Sequence, residues 1–599
     1  MRLLSRLLSD AGTIQRELKI LNPPGNLAGI RYGLSDRHAG GETVCLLTFR
    51  HGASIIYKPR SMLGEDLFYR VLDVLNDSPQ VRFPAGRLRI LDRGTYAWCE
   101  HVAVGATSSF DEAQRFHYRC GLICASAHLL GVTDCHDGNL IAAGEYPYLV
   151  DAETVGHPDP VPFTPGADNL IDLQFHDGVV RTGFCPFWKG TSAGGGGATF
   201  QAAALADSRL IDWRSRRLAW SNLQTDGIGA VASHFYSKQS PNRPADETGS
   251  PWMLSDFVAD VSQGFADGLS AARHNDFRLR EIVERRLSQG ETRFIFRDTD
   301  VYYALLDEAA ETAAYENAQV FRDHIGRLRG STGGTGPRSD ILDDEIASVL
   351  AGDIPRFTVP VGESDYVLSS GRRIPFPFIQ SPRAKVLSRL QKNALGQGPN
   401  ESEALRKTLD ALDLRVTRGT VEDGGWPGRK ALGRAEALST ACSIGDRLLG
   451  TAVEEGGDVG WLAPVRVPGT DRFNYRPIPD GLYDGKLGIA LFLVWLSEAS
   501  GDPRYADLGL RAIASSRSIS PLFALEPVAT GATAVDRDGR AAELLFVLAA
   551  LGRLLDESRY FERALRLVEA RMGPIRRPDP GILQGYGGEI LARLALHDL

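Results

Sequence analysis

Residues 133–153 have the sequence TDCHDGNLIAAGEYPYLVDAE, and this stretch decides how the rest of the chain is interpreted. A polar loop comes first. Two short apolar segments, 140–143 and 148–150, then flank the turn-forming residues Gly-Glu-Tyr-Pro. This pattern predicts a β-hairpin between two acidic loops. Such a hairpin would bring Asn139 and Asp151 to the same end.

Side chains at the ends of the predicted hairpin form a set suited to phosphoryl transfer. The amide oxygen of Asn139 and the carboxylate of Asp151 are ligands that Mg²⁺ prefers. Asp134, just upstream, could orient a hydroxyl nucleophile, and His136 lies beside it in the same loop. A surface hairpin with polar loops is the alternative, and the spacing alone does not decide between the two.

The composition excludes several classes of protein. The chain has 599 residues, of which 43% are hydrophobic and 24% charged, and the length predicts roughly three or four domains. The net charge is -8, and no basic run with interleaved aromatic residues indicates a nucleic-acid partner. No apolar stretch approaches the roughly 18 residues of a membrane-spanning helix. A globular protein without a membrane span is therefore expected.

The cysteines indicate the compartment. There are seven, they are scattered, and they form no Cys-x-x-Cys pair. An odd, scattered set is typical of a reduced environment rather than of a disulfide framework. We therefore predict a cytoplasmic protein.

A second hairpin is predicted upstream, with strands at 44–49 and 53–58. Side-chain alternation places Lys58 on the face opposite Tyr57. A lysine at this end of a hairpin strand is placed like the phosphate-binding lysine of kinase-type sheets. The alternative is an ordinary lysine on an edge strand.

A well-marked helix is predicted to lead into the loop that holds Asp134. Ser109 and Glu112 form a capping box, and apolar residues then recur at helical spacing up to Leu130. Gly131 can end the helix. A buried helix that feeds a catalytic loop would give that loop rigid support.

Residues 292–299, with the sequence TRFIFRDT, predict a strand. Alternation would put Arg293, Arg297 and, if the strand persists, Thr299 on one side. Two cations and a hydroxyl on one face could hold a phosphate group. A solvated polar face is the alternative.

After about residue 425 the sequence is rich in Ala, Leu and Gly, and its pattern is helical. Residues 481–492 read as a glycine-rich loop that opens a helix, and residues 581–590 repeat the pattern. Repeated helix starts of this kind indicate an α/α barrel or solenoid.

Taken together, these motifs resemble the class II (LanM-type) lanthipeptide synthetases, over about residues 30–420 and in that family's order. The matching stretches are Ser35–His38, Tyr57–Arg60, Trp98–Glu100, Asp134–Asn139, Gly144–Pro147, Leu149–Thr154, Arg293–Thr299 and Asp353–Phe357. One such motif alone would be weak, and the whole set is specific.

The resemblance implies an α+β fold class and a division into three parts. Residues 31–425 would form a lipid-kinase-like, two-lobed dehydratase domain. A short N-terminal helical segment at 1–30 would precede it. Residues 426–599 would form a partial all-α, α/α barrel-like cyclase segment.

The resemblance also implies an activity, the ATP-dependent dehydration of Ser and Thr in a precursor peptide that carries a leader. A phosphorylation step would be followed by elimination of phosphate, which gives dehydroalanine or dehydrobutyrine. The residues implied for phosphorylation are Lys58 for ATP, Asn139 and Asp151 for Mg²⁺, and Asp134, His136 and Glu153 around the hydroxyl. The residues implied for elimination are Arg293, Thr299, Asp36 and His38.

The cyclase of this family is a zinc enzyme, and its site needs two cysteines and a histidine. After Cys442 the sequence has no cysteine, and its only histidine there is His597. The zinc ligands are therefore absent, and this chain alone is not expected to catalyse cyclisation. A separate polypeptide could complete the cyclase.

Two other functions remain open at this point. The chain could be a peptide kinase that does not eliminate the phosphate, but the presence of both Arg293 and Thr299 argues against it. It could also be a non-catalytic fragment of a split or truncated synthetase. The full set of polar motif residues argues against that second alternative.

Overall fold

The computed structural model describes residues 2–19, 26–160, 175, 177–190, 199–206, 216–221, 229–234, 241–297, 299–311, 317–332, 338–375, 378–397, 400–414, 433–467, 472–516 and 541–570. The chain divides into two compact units. Unit 1 comprises Met1–Val161 and Gly178–Asp413, and unit 2 comprises Pro162–Asp177 and Leu414–Leu599. Within the described ranges, no helix has both the length and the apolar character needed to cross a membrane.

Helices and strands both occur, and the strands pair in antiparallel fashion, as the α+β class predicts. The helices of unit 1 are α1 (Arg2–Glu17), α2 (Leu63–Asn76), α3 (Phe110–Leu129), α4 (Val258–His274), α5 (Asp276–Arg286), α6 (Thr299–Glu311), α7 (Ala318–Ile325), α8 (Arg338–Leu350), α9 (Pro382–Leu395) and α10 (Glu401–Ala411). Those of unit 2 are α11 (Arg434–Thr451), α12 (Lys486–Ser500), α13 (Pro503–Ala514), α14 (Ala541–Leu555) and α15 (Ser558–Ala570).

The strands of unit 1 are β1 (Leu27–Arg31), β2 (Cys45–Phe49), β3 (Ser54–Lys58), β4 (Ile90–Asp92), β5 (Ala97–Glu100), β6 (Leu140–Ala143), β7 (Tyr146–Leu149), β8 (Phe187–Gly190), β9 (Thr199–Ala202), β10 (Arg216–Ser221), β11 (Gly229–His234), β12 (Glu291–Phe294), β13 (Phe357–Pro360), β14 (Asp365–Val367) and β15 (Arg373–Pro375). Those of unit 2 are β16 (Val453–Glu455), β17 (Asp458–Gly460), β18 (Leu462–Arg466) and β19 (Phe473–Pro477).

Unit 1 contains a five-stranded sheet with the strand order β1-β2-β3-β5-β4. Helix α1 packs on one face of it, where Leu7 and Ile14 join a buried cluster with Tyr57 and Trp98. The predicted hairpin of β2 and β3 is confirmed, and so is its alternation. Tyr57 faces α1, and Lys58 faces away from it, toward Glu65 and Asp151.

A buried carboxylate fixes α1 to the sheet. The side chain of Asp10 accepts hydrogen bonds from Tyr96 Oη (2.8 Å) and Trp98 Nε1 (2.9 Å), and from Nε (3.0 Å) and Nη2 (2.5 Å) of Arg93. Burial by itself raises the pKa of Asp10, but these hydrogen bonds outweigh it and bring the pKa below its ordinary value. The folded protein therefore favours the ionised carboxylate.

Replacing Asp10 with asparagine is expected to lower the free energy of unfolding by about 2 kcal/mol, because the buried, charge-assisted network loses its negative charge and one of its two acceptor oxygens. Since the folded-state pKa is depressed, the contribution is present above about pH 4 and is lost as the pH falls below it. Denaturant unfolding at neutral and acid pH measures both effects. Asp256→Asn, at an exposed position, is the control. Equal unfolding midpoints for the two variants would contradict the expectation.

Helix α3 begins as the capping box predicts. The side chain of Ser109 accepts a hydrogen bond from the backbone N–H of Glu112 (3.3 Å). The carboxylate of Glu112 reaches back to the N–H of Ser108 (2.6 Å) rather than to that of Ser109. Every predicted apolar position of the stripe in this helix is buried. The helix is a rigid base for the loop that follows it.

The prediction of a strand over 292–299 is wrong in its second half. Strand β12 ends at Phe294, where it pairs with Phe357 of β13. The next backbone N–H, that of Ile295, donates to the imidazole Nε2 of His157 (3.1 Å) instead of continuing the ladder. Thr299 begins helix α6. It therefore does not share a strand face with Arg293.

Arg297 is also separate from Arg293. Its guanidinium pairs with the buried carboxylate of Glu345, through Nε–Oε1 (3.1 Å) and Nη2–Oε2 (3.2 Å) contacts. The expected phosphate-binding face of two arginines and a threonine on one strand is therefore not formed.

Unit 2 is largely helical, as predicted, with a core of residues from α12, α13 and α14. The predicted helix opening at 481–492 is confirmed, since α12 begins at Lys486. Two short hairpins, β16-β17 and β18-β19, were not predicted. The second glycine-rich copy at 581–590 and His597 lie outside the described residues, so the α/α barrel stays a prediction.

Candidate functional site

The central hairpin forms from strands β6 and β7. Leu140 pairs with Leu149, and the backbone N–H of Val150 donates to the carbonyl of Asn139 (2.9 Å). Asn139 and Asp151 therefore lie at the same end, as predicted. The return strand begins at Tyr146, two residues earlier than expected, because Gly144 has a φ of +62° and closes a two-residue turn.

Lys58 is buried at the base of this end of the hairpin. Its ammonium group donates to the carbonyl of Val150 (2.6 Å) and contacts Glu65 (3.1 Å) and Asp151 (3.4 Å). The side chain is 6% exposed and that of Glu65 is fully buried. Burial lowers the pKa of Lys58, but the charges of Asp151 and Glu65 together outweigh it and raise the pKa above its ordinary value. The lysine is therefore a fixed cation.

Glu65 reaches Lys58 because helix α2 approaches the hairpin closely. A side chain at Gly64 would meet the carbonyl oxygen of Ala152 at 2.3 Å, so only glycine fits there. This contact places the first turn of α2 directly against the segment between Asp151 and Glu153.

Glu153 is the centre of a cluster of three guanidinium groups. Its carboxylate contacts Arg60 Nε (3.0 Å), Arg293 Nη1 (2.5 Å) and Arg356 Nη2 (3.2 Å). Burial raises the pKa of Glu153, but Arg60 and the other arginines bring it well below its ordinary value. Arg60 is shared with Glu65 and Asp151. The positive excess therefore comes from Arg293 and Arg356 against the single carboxylate of Glu153, and such a surface attracts anions.

Arg60 connects this cluster to Lys58. One of its nitrogens contacts both Glu65 Oε1 (2.7 Å) and Asp151 Oδ2 (2.8 Å), and its Nε contacts Glu153. Burial raises the pKa of Asp151, but Arg60 and Lys58 outweigh it and lower the pKa. The predicted ATP residue, one predicted metal ligand and the predicted supporting carboxylate therefore form one continuous charged network.

Asp134 lies at the open side of this network. Its backbone is left-handed, with a φ of +63°, which is uncommon for a residue other than glycine but tolerated by aspartate. Its carbonyl accepts hydrogen bonds from the N–H of His136 (3.0 Å) and the side-chain nitrogen of Asn139 (3.0 Å). Desolvation by the surrounding protein raises the pKa of its carboxyl to about 6, although the charges of His136 and Arg293 oppose the change.

His136 is exposed in the same loop, where its side chain accepts a hydrogen bond from the backbone N–H of Gly138 (3.1 Å). The three predicted residues Asp134, His136 and Asn139 therefore all lie in one short loop.

His38 lies near the arginine cluster. Its Nδ1 lies 2.7 Å from the carbonyl of Ile354. Burial lowers the pKa of His38, and the nearby positive charges of Arg293 and Arg356 lower it further. The imidazole is therefore neutral near pH 7.

Asp36 and Thr299 are connected through helix α6. The carboxylate of Asp36 accepts a hydrogen bond from the hydroxyl of Tyr303 (2.9 Å). Thr299 is the first residue of α6 and lies one turn before Tyr303, on the same helix face. The two predicted elimination residues therefore belong to neighbouring segments, although Thr299 reaches this position from a helix and not from a strand.

Four residues of the site were not singled out by the sequence analysis. Arg60, Arg356 and Asp353 lie in the matched stretches, and Glu65 lies in the first turn of α2, a helix that the sequence analysis did not predict. A signal existed for Glu65, since a carboxylate on the apolar side of a helix is unusual and indicates a buried cation partner. The ion pairs of the two arginines join segments far apart in sequence, and no local pattern reports such contacts.

The donor groups fit Mg²⁺ and ATP. In the described part of the chain, no group of three or more His, Cys, Asp or Glu side chains could hold a metal by itself. Mg²⁺ usually takes one or two protein ligands and completes about six positions with water and phosphate oxygens. Asp151 and the amide oxygen of Asn139 are oxygen donors that could supply that pair, and Lys58 is a cation beside Asp151.

Two comparisons with known proteins found matches. The family described as "Domain of unknown function (DUF4135)" matches residues 1–360. The chain is 22% identical over 523 residues to "Lacticin 481/lactococcin biosynthesis protein LcnDR2" of Lactococcus lactis subsp. lactis. That match covers 82% of this chain and 53% of the relative, so the chain spans about half the length of this curated relative. Since the family match includes more than half of its residues, the chain belongs to the DUF4135 family.

Proposed function

We propose that this chain is a lanthipeptide dehydratase, which phosphorylates Ser and Thr in a ribosomal precursor peptide and then eliminates the phosphate. The observation that carries the proposal is the network in which Lys58, Asp151, Glu153 and Arg293 are linked. The chain's similarity to a lacticin 481/lactococcin biosynthesis protein supports the same process.

In the proposed first step, the substrate hydroxyl attacks the γ-phosphorus of ATP. A bond forms between the hydroxyl oxygen and phosphorus, and the bond to the β,γ-bridging oxygen breaks. Lys58, held in place by Glu65, would bind the phosphates, and Asn139 and Asp151 would hold Mg²⁺, which supplies charge neutralisation. Asp134 orients the hydroxyl and accepts its proton.

In the proposed second step, a base removes the α-proton of the phosphorylated residue. The electron pair of the C–H bond becomes the Cα=Cβ double bond, and phosphate leaves with the Cβ–O pair. Arg293 and Thr299 would stabilise the leaving phosphate, and the cluster around Glu153 has the excess positive charge that this needs.

His38 is suited to be the base. A backbone carbonyl only accepts hydrogen bonds, so the contact with Ile354 requires the proton on Nδ1. Nε2 is then the nitrogen that accepts the α-proton. The lowered pKa keeps the imidazole neutral and able to accept it. Asp36 would support this side of the site through its bond with Tyr303.

The pKa of Asp134 gives an expected pH dependence. Because the carboxylate must be ionised to accept a proton, phosphorylation should fall about tenfold per pH unit below about pH 6. Elimination from a peptide that is already phosphorylated should persist below the pH at which an ordinary imidazole becomes protonated, because the pKa of His38 is lowered. Initial rates at saturating ATP and peptide, measured by mass spectrometry, check both. A phosphorylation rate that is constant from about pH 5 to 7 would exclude Asp134 as the group that titrates.

Incubation with a Ser/Thr-rich precursor peptide that retains its leader, ATP and Mg²⁺ tests the proposed function. Loss of one water per modified residue is the expected result, and Lys58→Ala should prevent it. Accumulation of phosphopeptide by the unaltered chain would identify a kinase without elimination. An unchanged peptide mass, with no ATP consumption, would refute the proposal.

A further inference from the structure

The loop that contains His38 is closed around a carboxylate from a distant segment. Ala39, Gly40 and Gly41 have left-handed backbones, with φ of 47°, 85° and 88°. The N–H groups of Gly40 and Gly41 donate to Oδ2 (2.6 Å) and Oδ1 (3.0 Å) of Asp353. Successive N–H groups in this conformation form a concave anion site, and here the anion is the buried side chain of Asp353.

The residue after Asp353 completes the attachment. The N–H of Ile354 donates to the carbonyl of Arg37 (2.8 Å), and its carbonyl accepts from His38 Nδ1 (2.7 Å). Four hydrogen bonds therefore join the loop to two consecutive residues, and one of them sets the direction of the imidazole. The hydrogen bonds within the loop join the backbones of His38 and Glu42, and they connect only its two ends.

We infer that Asp353 is a positioning residue for phosphate elimination, acting through the glycine amides to hold His38 against the arginine cluster. The inference rests on the proposed function. It is specific to the second step, because none of the four bonds involves Lys58, Asp134 or the metal-binding pair. Two glycines in a left-handed loop have many alternative conformations, and the carboxylate selects one of them.

Asp353→Asn tests this. The amide retains one acceptor but presents a donor to one of the two N–H groups, so the loop loses its fixed geometry. With a synthetic phosphoserine peptide, phosphate release should fall by about 10- to 100-fold, since misplacement of a reacting group by about 1 Å has an effect of that size. Phosphorylation of the unmodified peptide should remain within about twofold. The pH profile of elimination should also move, because the environment of His38 changes.

Asp344→Asn is a matched control. Asp344 is also buried and also accepts from two consecutive backbone N–H groups, those of Ser369 (2.7 Å) and Ser370 (3.2 Å). Its substitution should affect stability similarly without moving the pH profile. Gly40→Ala is a second variant, since an added methyl group has space but the φ of +85° is strained. It should reproduce the elimination defect while Asp353 is intact.

The outcomes are distinguishable. Equal loss of phosphorylation and elimination in Asp353→Asn, in parallel with Asp344→Asn, would overturn the inference and indicate a purely structural role. Unchanged elimination in both Asp353→Asn and Gly40→Ala would overturn it as well. If the unaltered chain neither phosphorylates the peptide nor releases phosphate from the phosphoserine peptide, the proposed function itself fails, and the inference fails with it.

Discussion

Replacing Asp134 with asparagine is expected to lower the rate of phosphorylation, and with it dehydration, by about 10² to 10⁴-fold, the usual effect of losing a general base. Asparagine has the shape of aspartate and also tolerates a left-handed backbone, so the φ of +63° is retained. The carbonyl of residue 134 would still hold His136 and Asn139. The substitution therefore removes the proton acceptor and leaves the loop in place.

The measurement is the initial rate of phosphate incorporation from ATP into the precursor peptide. The exposed Asp256→Asn is the control, since it removes the same charge from unit 1 at a distance from the site in sequence. ATP binding by Asp134→Asn should not weaken, because the contacts that hold Lys58 and Asp151 are made with Glu65, Val150 and Arg60 and remain in place. Phosphorylation at an unaltered rate would contradict the role proposed for this carboxylate.

The parts of the site that were predictable are local in sequence. The hairpin of β6 and β7 needs only two apolar segments and a turn, so its existence and the common end of Asn139 and Asp151 follow from the pattern. The side of the sheet on which Lys58 lies follows from alternation alone. Each of these requires knowledge of fewer than about 20 neighbouring residues.

The contacts that were not predictable join segments far apart in sequence. Whether Arg293 or Arg297 reaches Glu153 depends on where β12 stops, and the ring of His157 decides that by taking the N–H of Ile295. The predicted position of Thr299, on the same strand face as Arg293, was wrong for the same reason. An alternation rule assumes that a strand continues, and tertiary contacts determine whether it does.

Glu153 explains how one site could serve both proposed steps. Its carboxylate contacts Arg60, which also pairs with Asp151 on the side of Lys58. It also contacts Arg293, whose charge acts on His38. A phosphate group added on the first side would therefore be near the cations of the second side. This arrangement supports a peptide that stays bound between phosphorylation and elimination, with no transfer to a second site.

Replacing Arg293 with alanine is expected to separate the two steps. Phosphorylation should continue, because Lys58 and Asp151 keep their contacts with each other and with Arg60. Elimination should fall by about 10² to 10³-fold, which is typical for loss of one group that stabilises developing negative charge. The phosphopeptide should therefore accumulate, and mass spectrometry would show added phosphate where the unaltered chain produces loss of water.

Arg297→Ala is the matched control for this prediction. Arg297 lies four residues further on and pairs with Glu345, which is fully buried, so its removal is expected to destabilise unit 1 by about 3 kcal/mol. It should not cause phosphopeptide to accumulate in the fraction that remains folded.

Thr299→Ala should resemble Arg293→Ala if the start of α6 contributes to the same step. Complete dehydration by Arg293→Ala would contradict the role proposed for this arginine in elimination. Arg60 and Arg356, which also contact Glu153, would then suffice to stabilise the leaving phosphate.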